Sequence, residues 1–305
     1  MTHIYDMLII GGGPGGYSAA LYAARAGLDV LVLEKLSAGG QMALTQDIDN
    51  YPGFPQGIDG FTLGENMQLG AERFGAKTEL AEVLSLDLTA DPKRIDTSEG
   101  TFYSRTVVYA AGAGPRELGV DREQALTGRG VHYCAACDGM RYRGKTVVVV
   151  GGGNSAAEDA LALARIAEKV YLVHRRDSLR AEKLYQNALM KAANVEFIWN
   201  TQVTELLAEG KLTGVRLRDV FSGEERELAC DGLFVSVGRK PATALVTDQL
   251  ALDPGGYIVA DESTRTSIPG VFAVGDVRTK ALRQVVTAVS DGAVAVHFAR
   301  EYLEM

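Results

Sequence analysis

Tyr5-Asp6-Met7-Leu8-Ile9-Ile10-Gly11-Gly12-Gly13-Pro14-Gly15-Gly16 begins as an apolar run and ends in a cluster of glycines. A short unbroken apolar run is the mark of a strand buried on both faces of a parallel sheet. Gly11, Gly13 and Gly16 stand in the spacing G-x-G-x-x-G around Pro14, and an alanine-rich stretch to Ala26 reads as a helix. A second apolar run, Val30-Leu31-Val32-Leu33, ends at Glu34. The glycines let the backbone turn tightly and approach a pyrophosphate held at the helix N-terminus. A carboxylate about 20 residues further on can accept both hydroxyls of a ribose. The glycine spacing alone would be weak evidence; strand, helix, strand and acid in register make it a dinucleotide site.

The pattern returns in the middle of the chain. Lys145-Thr146-Val147-Val148-Val149-Val150 is the strand, and Gly151, Gly153 and Ala156 form G-x-G-x-x-A around Asn154 and Ser155. A helix pattern covers 157–167, followed by Val170-Tyr171-Leu172-Val173. His174 then takes the place of Glu34, with Arg175, Arg176 and Arg180 beyond it. A carboxylate would repel a 2′-phosphate, whereas guanidinium groups clamp one. The first unit is therefore expected to hold an adenosine with a free ribose, and the second to hold NADPH. The competing reading of the arginines is a solvated charge run. Their place at the end of the second strand, where a nucleotide ribose lies, disfavours it.

Gly270-Val271-Phe272-Ala273-Val274-Gly275-Asp276 reads as another short strand ending in a glycine and an acid, with a helix pattern from about Arg283 to Tyr302. Asp276 could bind a ribityl hydroxyl, and the helix amides could stabilise negative charge on a reduced flavin. A plain N-cap is the alternative for Asp276. NAD needs no such second segment, so the first site is expected to hold FAD. The expected fold class is α/β, with two Rossmann-like dinucleotide-binding domains. The NADPH domain, residues 114–242, is inserted into a discontinuous FAD domain of residues 1–113 and 243–305. Ala110-Ala111-Gly112-Ala113-Gly114-Pro115 and Ser236-Val237-Gly238-Arg239-Lys240-Pro241 fit the two crossings.

Composition agrees with this plan. The chain has 305 residues, more than one compact domain usually holds, with 47% hydrophobic and 23% charged residues. A net charge of −8 without a basic block argues against a nucleic-acid partner. Residues 1–10 lack the basic start and cleavage site of a signal peptide, and their apolar run is too short to span a bilayer, so a cytoplasmic protein away from the membrane is expected. Cys134, Cys137 and Cys230 are the three cysteines. Cys134-Ala135-Ala136-Cys137-Asp138 lies ahead of the second nucleotide strand. Two intervening residues allow a disulfide, and Asp138 could protonate a departing thiolate. A zinc half-site with His132 is the alternative, but no second C-x-x-C follows and no metal is expected. Cys230 reads as a buried strand residue, and His297 as a packed or interface residue.

Together these residues resemble the low-molecular-weight thioredoxin reductase family, within the class-II pyridine nucleotide-disulfide oxidoreductases. The matching segments are 11–16, Gly39-Gly40-Gln41, 134–139, 151–156, 174–181 and 275–284, in family order over essentially the whole chain. The resemblance implies electron flow from NADPH through FAD to a Cys134–Cys137 disulfide and on to a thioredoxin-like protein. Cys134 would attack the partner, Cys137 would face the flavin and Asp138 would be the acid. It implies FAD contacts from Gly40, Gln41, Asn50, Gly112, Asp276, Arg283, Gln284 and Val285, a homodimer, and an NADPH domain that rotates on its two crossings. Ala111 departs from a family Thr, and Met140-Arg141-Tyr142 stands where relatives carry adjacent aromatics. The rivals are a ferredoxin-dependent flavin reductase, which should lack the arginine cluster, a flavin dithiol oxidase, and a redox-sensing flavoprotein without turnover.

Overall fold

The computed structural model describes residues 3–45 and 48–304; Met1, Thr2, Gln46, Asp47 and Met305 lie outside the described residues, the first and last being expected domain ends. The chain divides into two compact units, Met1–Gly114 with Lys240–Met305, and Pro115–Arg239.

In the first unit the opening apolar run is the strand β1 (Ile4–Ile10), followed by α1 (Pro14–Arg25) and β2 (Val30–Glu34). α2 (Gly60–Glu72) and the strands β3 (Lys77–Leu80), β4 (Val83–Asp87), β5 (Lys93–Thr97) and β6 (Gly100–Tyr109) come next. The sheet order is β3-β2-β1-β6-β5-β4, with β17 (Val271–Ala273) alongside β6. β1 runs parallel to both neighbours, pairing Ile10 with Leu33 and with Tyr109. Met7 and Ile9 point into one cluster with Tyr17, Ala20 and Ala23; Leu8 and Ile10 point into another with Leu88, Ile95 and Ile258. Both faces are covered, which is why the run carries no alternation. Each fully buried Leu or Ile of this strand contributes about 1.5–3 kcal/mol relative to exposure.

The C-terminal helix α6 (Val285–Leu303) lies against α1. The two backbones approach so closely that a Cβ on Gly292 would come within 2.7 Å of the Ala19 nitrogen, and Ser18 Oγ donates to the Val289 carbonyl at 2.7 Å. Between β17 and α6 a 3-10 turn, Gly275–Val277, is pinned by a buried charge network. Asp291 on α6 accepts from Arg278 through both oxygens at 2.7 and 3.0 Å, from Lys280 Nζ at 2.7 Å and from Gly275 N at 2.8 Å. The three side chains are only 3–8% exposed. Nothing in the sequence reading anticipated this network.

In the second unit, β8 (Val131–His132), β9 (Thr146–Val150), β10 (Lys169–Val173), β11 (Val195–Ile198) and β15 (Gly232–Val235) form a parallel sheet in the order β11-β10-β9-β15-β8. α3 (Ala135–Asp138), α4 (Asn154–Ala164) and α5 (Lys183–Lys191) lie between its strands in sequence. A second sheet, β12 (Thr201–Glu209), β13 (Lys211–Asp219) and β14 (Glu225–Ala229), is an antiparallel meander absent from the sequence reading. The chain crosses between units along β7 (Ala113–Pro115) and β16 (Arg239–Pro241), which pair with each other. Among the described residues no helix is long and apolar enough to cross a membrane.

Removing the charge of Asp291 would leave Arg278 and Lys280 buried without a counter-ion. Asp291→Asn is expected to cost about 3–5 kcal/mol in urea unfolding of the first unit. Burial alone would raise the Asp291 carboxyl, but the bonds from Arg278 and Lys280 outweigh it and hold it below the ordinary 3.8. The parent's advantage should therefore be present above that value and shrink as pH falls below it; an advantage that does not change with pH would show that the carboxylate charge is not what matters.

Candidate active site

The first nucleotide turn sits between β1 and α1. Gly11 has a left-handed φ of 105° and lies so near β6 that a Cβ there would be 2.6 Å from the Ala110 carbonyl oxygen. A Cβ at Gly16 would collide with the Gly11 carbonyl. Gly13 is the N-cap, nothing lies within 4 Å of where its Cβ would be, and α1 starts at Pro14 without a side-chain cap or an acid in its first turn. Such a helix end presents N–H groups and the positive pole of the dipole to an anion. Glu34 accepts from Gly12 N at 2.6 Å and from Leu36 N at 3.1 Å, which fixes the carboxylate beside the turn.

The other expected FAD residues are gathered by packing. Gly39 N donates to Gly12 O at 2.8 Å, setting Gly40 and the exposed Gln41 next to the turn. Met42, Ile48 and Leu63 form a small cluster against which Val285 packs. At its edge Asn50 Nδ2 donates to Gln284 Oε1 at 3.0 Å, and Gln284, not Asp276, is the N-cap of α6. Asp276 sits in the Gly275–Val277 turn, close to the start of α1: a Cβ on Gly15 would lie 3.6 Å from Gly275 N. Arg283 stacks 4.0 Å over the Tyr257 ring and donates to the carbonyls of Asp276 and Arg278, so its side chain braces this turn. Gly112, left-handed at φ 71°, accepts from Ala242 N at 3.0 Å. The open glycine mouth, the uncapped helix and the Glu34 carboxylate fit an adenine dinucleotide with a free ribose, and the Asp276 turn lies near the same helix start.

The second turn is built alike up to its last element. Gly153 is the open N-cap of α4, again without a cap or a first-turn acid. Ala156 replaces the third glycine, and its methyl lies 2.6 Å from where a Cβ on Gly151 would stand. Residues 174–182 are bolted to this turn. Gly152 O accepts from Arg180 N at 2.7 Å and Ala181 N at 3.1 Å, while Asn154 and Glu182 exchange two hydrogen bonds, at 2.9 and 3.0 Å. Asn154, expected to touch the nucleotide, spends its amide on that clamp; Ser155 is exposed in the first turn. His174 folds inward onto Gly152, where any Cβ would collide with its ring. Burial first, then the guanidiniums of Arg176, Arg180 and Arg175, lower its pKa, which favours the neutral ring. Its Nε2 is buried without a protein partner. Arg175, Arg176 and Arg180 are exposed, and no ion pair among the described residues joins them to a carboxylate. That donor set fits a 2′-phosphate.

Cys134 and Cys137 form a disulfide, with Cα atoms 5.3 Å apart. Cys134 is the N-cap of the four-residue α3, and its Sγ accepts from Cys137 N at 3.2 Å. Asp138, 13% exposed, closes the helix; its Oδ2 lies 3.2 Å from His132 Nδ1 and its Oδ1 4.0 Å from Arg141. Asp159 accepts from Ala135 N at 3.3 Å and from Ser236 Oγ at 2.5 Å, and burial raises its carboxyl. Asp159 and Ser236 were missed because only the fold joins them to α3, Asp159 lying 24 positions from Ala135 and Ser236 77 positions from Asp159. Among the described residues no group of three or more His, Cys, Asp and Glu could hold a metal. Cys230 is buried just after β14, and burial, then Asp231, push its thiol up to about 12. It cannot serve as a thiolate. His297 is exposed on α6, 3.6 Å from Glu301.

The pyridine nucleotide-disulphide oxidoreductase family matches residues 5–292. A thioredoxin reductase of Streptomyces clavuligerus is 48% identical over 306 residues, covering 99% of this chain and 95% of that protein. One from Treponema pallidum is 44% identical, covering 98% and 97%. The solved thioredoxin reductase of Streptococcus pyogenes MGAS5005 superposes with a TM-score of 0.92 at 43% identity, covering 100% of this chain and 99% of that one. That of Giardia duodenalis gives 0.91 at 36% identity, covering both chains fully. The matches run through both glycine turns and the disulfide between them, and the chain belongs to the pyridine nucleotide-disulphide oxidoreductase family, among its thioredoxin reductases.

Proposed function

We propose that the protein is an NADPH-dependent thioredoxin reductase whose electrons leave through the Cys134–Cys137 disulfide to a separate thioredoxin-like protein. The observation that carries this reading is a disulfide at a helix start, flanked by Asp138, in the same unit as an arginine-lined nucleotide turn. When bound, NADPH supplies an electron pair that FAD relays to the disulfide.

The residues divide the remaining work. Arg175, Arg176 and Arg180 hold the 2′-phosphate, and the neutral ring of His174 fills the space a ribose-binding acid would take. Gly151 and Gly153 bring backbone to the pyrophosphate of NADPH, as Gly11, Gly13 and Gly16 do for FAD. Glu34 takes the ribose hydroxyls, and Asp276 with Asn50 and Gln284 lines the flavin end. Cys134 attacks the partner disulfide: the Cys137 N–H that already points at its sulfur would stabilise a thiolate there. Asp138 gives a proton to the departing thiolate. The reading extends to the cytoplasm and to a homodimer, the latter supported by the apolar side chains that the first unit leaves exposed, including Leu44, Phe61, Leu69 and Leu80.

Each arginine contact to phosphate is a charge-assisted hydrogen bond of about 1.5–3 kcal/mol. Arg175→Ala and Arg176→Ala, made singly, are each therefore expected to raise the KM for NADPH by roughly 10–100-fold and to leave that for NADH nearly unchanged. An unchanged preference would remove these arginines from the site. In steady-state assays that follow NADPH consumption with oxidised thioredoxin as acceptor, Cys134→Ser and Cys137→Ser should each abolish turnover. Turnover surviving either change would move the electron exit elsewhere.

A further inference from the structure

Behind Asp138 lies a histidine that the electron path described above does not use. His132 is 3% exposed, at the end of β8, and its ring stacks at 5.3 Å on Phe234 of β15. Both ring nitrogens are engaged. Nδ1 lies 3.2 Å from Asp138 Oδ2, and Nε2 lies 2.7 Å from the Tyr142 hydroxyl. Tyr142 is itself buried, its ring laid on Gly232 so closely that a Cβ there would collide with it. The result is one buried chain of polar atoms, Asp138–His132–Tyr142, whose outer end is the carboxyl next to the redox disulfide.

A carboxyl that must deliver a proton at neutral pH is poorly suited to the task alone, since an isolated one is ionised there. An imidazole in contact changes this, because the two groups then gain and lose protons as a pair. We propose that His132 is the positioning residue of the disulfide step, holding the Asp138 carboxyl in place and sharing with it the proton that the departing thiolate takes up. The inference rests on Asp138 acting as that acid.

The step balances as follows. A thiolate of the reduced pair attacks the thioredoxin disulfide, one S–S bond forms as another breaks, and the leaving sulfur takes one proton from the Asp138–His132 pair. The pair is left as a carboxylate accepting the Nδ1–H of a neutral imidazole, whose Nε2 accepts the Tyr142 O–H. The remaining thiol of the enzyme then returns a proton to the pair as it attacks the mixed disulfide. Cys134–Cys137 re-forms, and the second thioredoxin thiolate is protonated by water. No electrons are needed beyond those of the exchange itself. Burial, and after it Asp138, keep the Tyr142 hydroxyl protonated by pushing it up to about 12, so it donates to Nε2 of the neutral ring and accepts from Nε2–H when the ring carries the proton.

The other charged and titratable groups facing this chain are few. Arg141 approaches Asp138 from the following turn, Lys145 Nζ stands 5.5 Å over the Tyr142 ring, and Asp231 and Cys230, just before β15, act on Tyr142. Phe234 contributes no charge.

The test uses the flavin-loaded protein and an oxidised thioredoxin. His132→Gln is expected to slow thiol–disulfide exchange roughly tenfold at pH 8 and distinctly less at pH 6, below the roughly 10²–10⁴-fold of losing a general acid outright because Asp138 remains. Tyr142→Phe, which keeps the ring on Gly232, should tilt the profile in the same direction by a smaller factor and serves should His132→Gln not fold. In the parent, nitrogen NMR of the four labelled histidines should show the His132 ring gaining its proton over the pH range in which the exchange rate changes. Profiles of both variants parallel to the parent's, or a His132 ring fixed in one neutral form from pH 6 to 9 while the rate changes, would overturn the proposal. A parent without thioredoxin turnover would sink the proposed function instead, and the histidine spectra would still report whether the pair shares a proton.

Discussion

Both nucleotide turns depend on one constraint: the backbone leaving a buried strand must fold back onto the helix that follows, with no side chain between. At Gly16 even a methyl would strike the Gly11 carbonyl, and at Gly151 it would strike Ala156. The closeness puts the first-turn amides of α1 and α4 at the mouth of the turn, where neither helix has a cap of its own. Phosphate binding in this fold follows from that geometry and from the helix dipole. In the proposed reading, what each turn binds is decided by the residue at the end of the next strand.

There the two units part. Glu34 takes the Gly12 amide and stays poised beside the turn, leaving acceptors for a ribose. His174 collapses onto Gly152, where burial and the neighbouring arginines lower its pKa, and the loop of residues 174–182 carries the exposed guanidiniums of Arg175, Arg176 and Arg180 beside Asp177 and Glu182. The same backbone thus carries two sites of opposite electrostatic sense, and the disulfide is carried by the cationic unit. In the first unit a different problem is solved. The segment proposed to complete the FAD site is distant in sequence, and the buried Arg278–Lys280–Asp291 network fixes its turn against α6.

Much of this was legible in the sequence because it is local. An apolar run, a glycine spacing and the next acid or base lie within about 30 residues of each other, the span of one βαβ unit. The redox pair was legible for the same reason. What escaped is non-local. Asp291 lies in a helix pattern whose period gives no sign that it meets Arg278 and Lys280, and His132, flanked by Val131 and Tyr133, looked like a stray ligand. Asn154 and Arg283 fall in the right segments, yet their side chains are used by the protein itself, one clamping Glu182 and the other bracing the Asp276 turn. Spacing tells which residues are near a site, but not which of their hydrogen bonds are already taken.

The central claim is that one chain couples a flavin site and a nucleotide site to a single disulfide exit. Anaerobic titration of the flavin-loaded protein with NADPH, followed by flavin absorbance, tests it most directly. A disulfide accepts as many electrons as the flavin, so the parent should consume about twice as much NADPH before the flavin is fully bleached as the Cys134→Ser/Cys137→Ser double variant does. Equal consumption by parent and variant would contradict the account, because electrons would then reach the flavin and go no further.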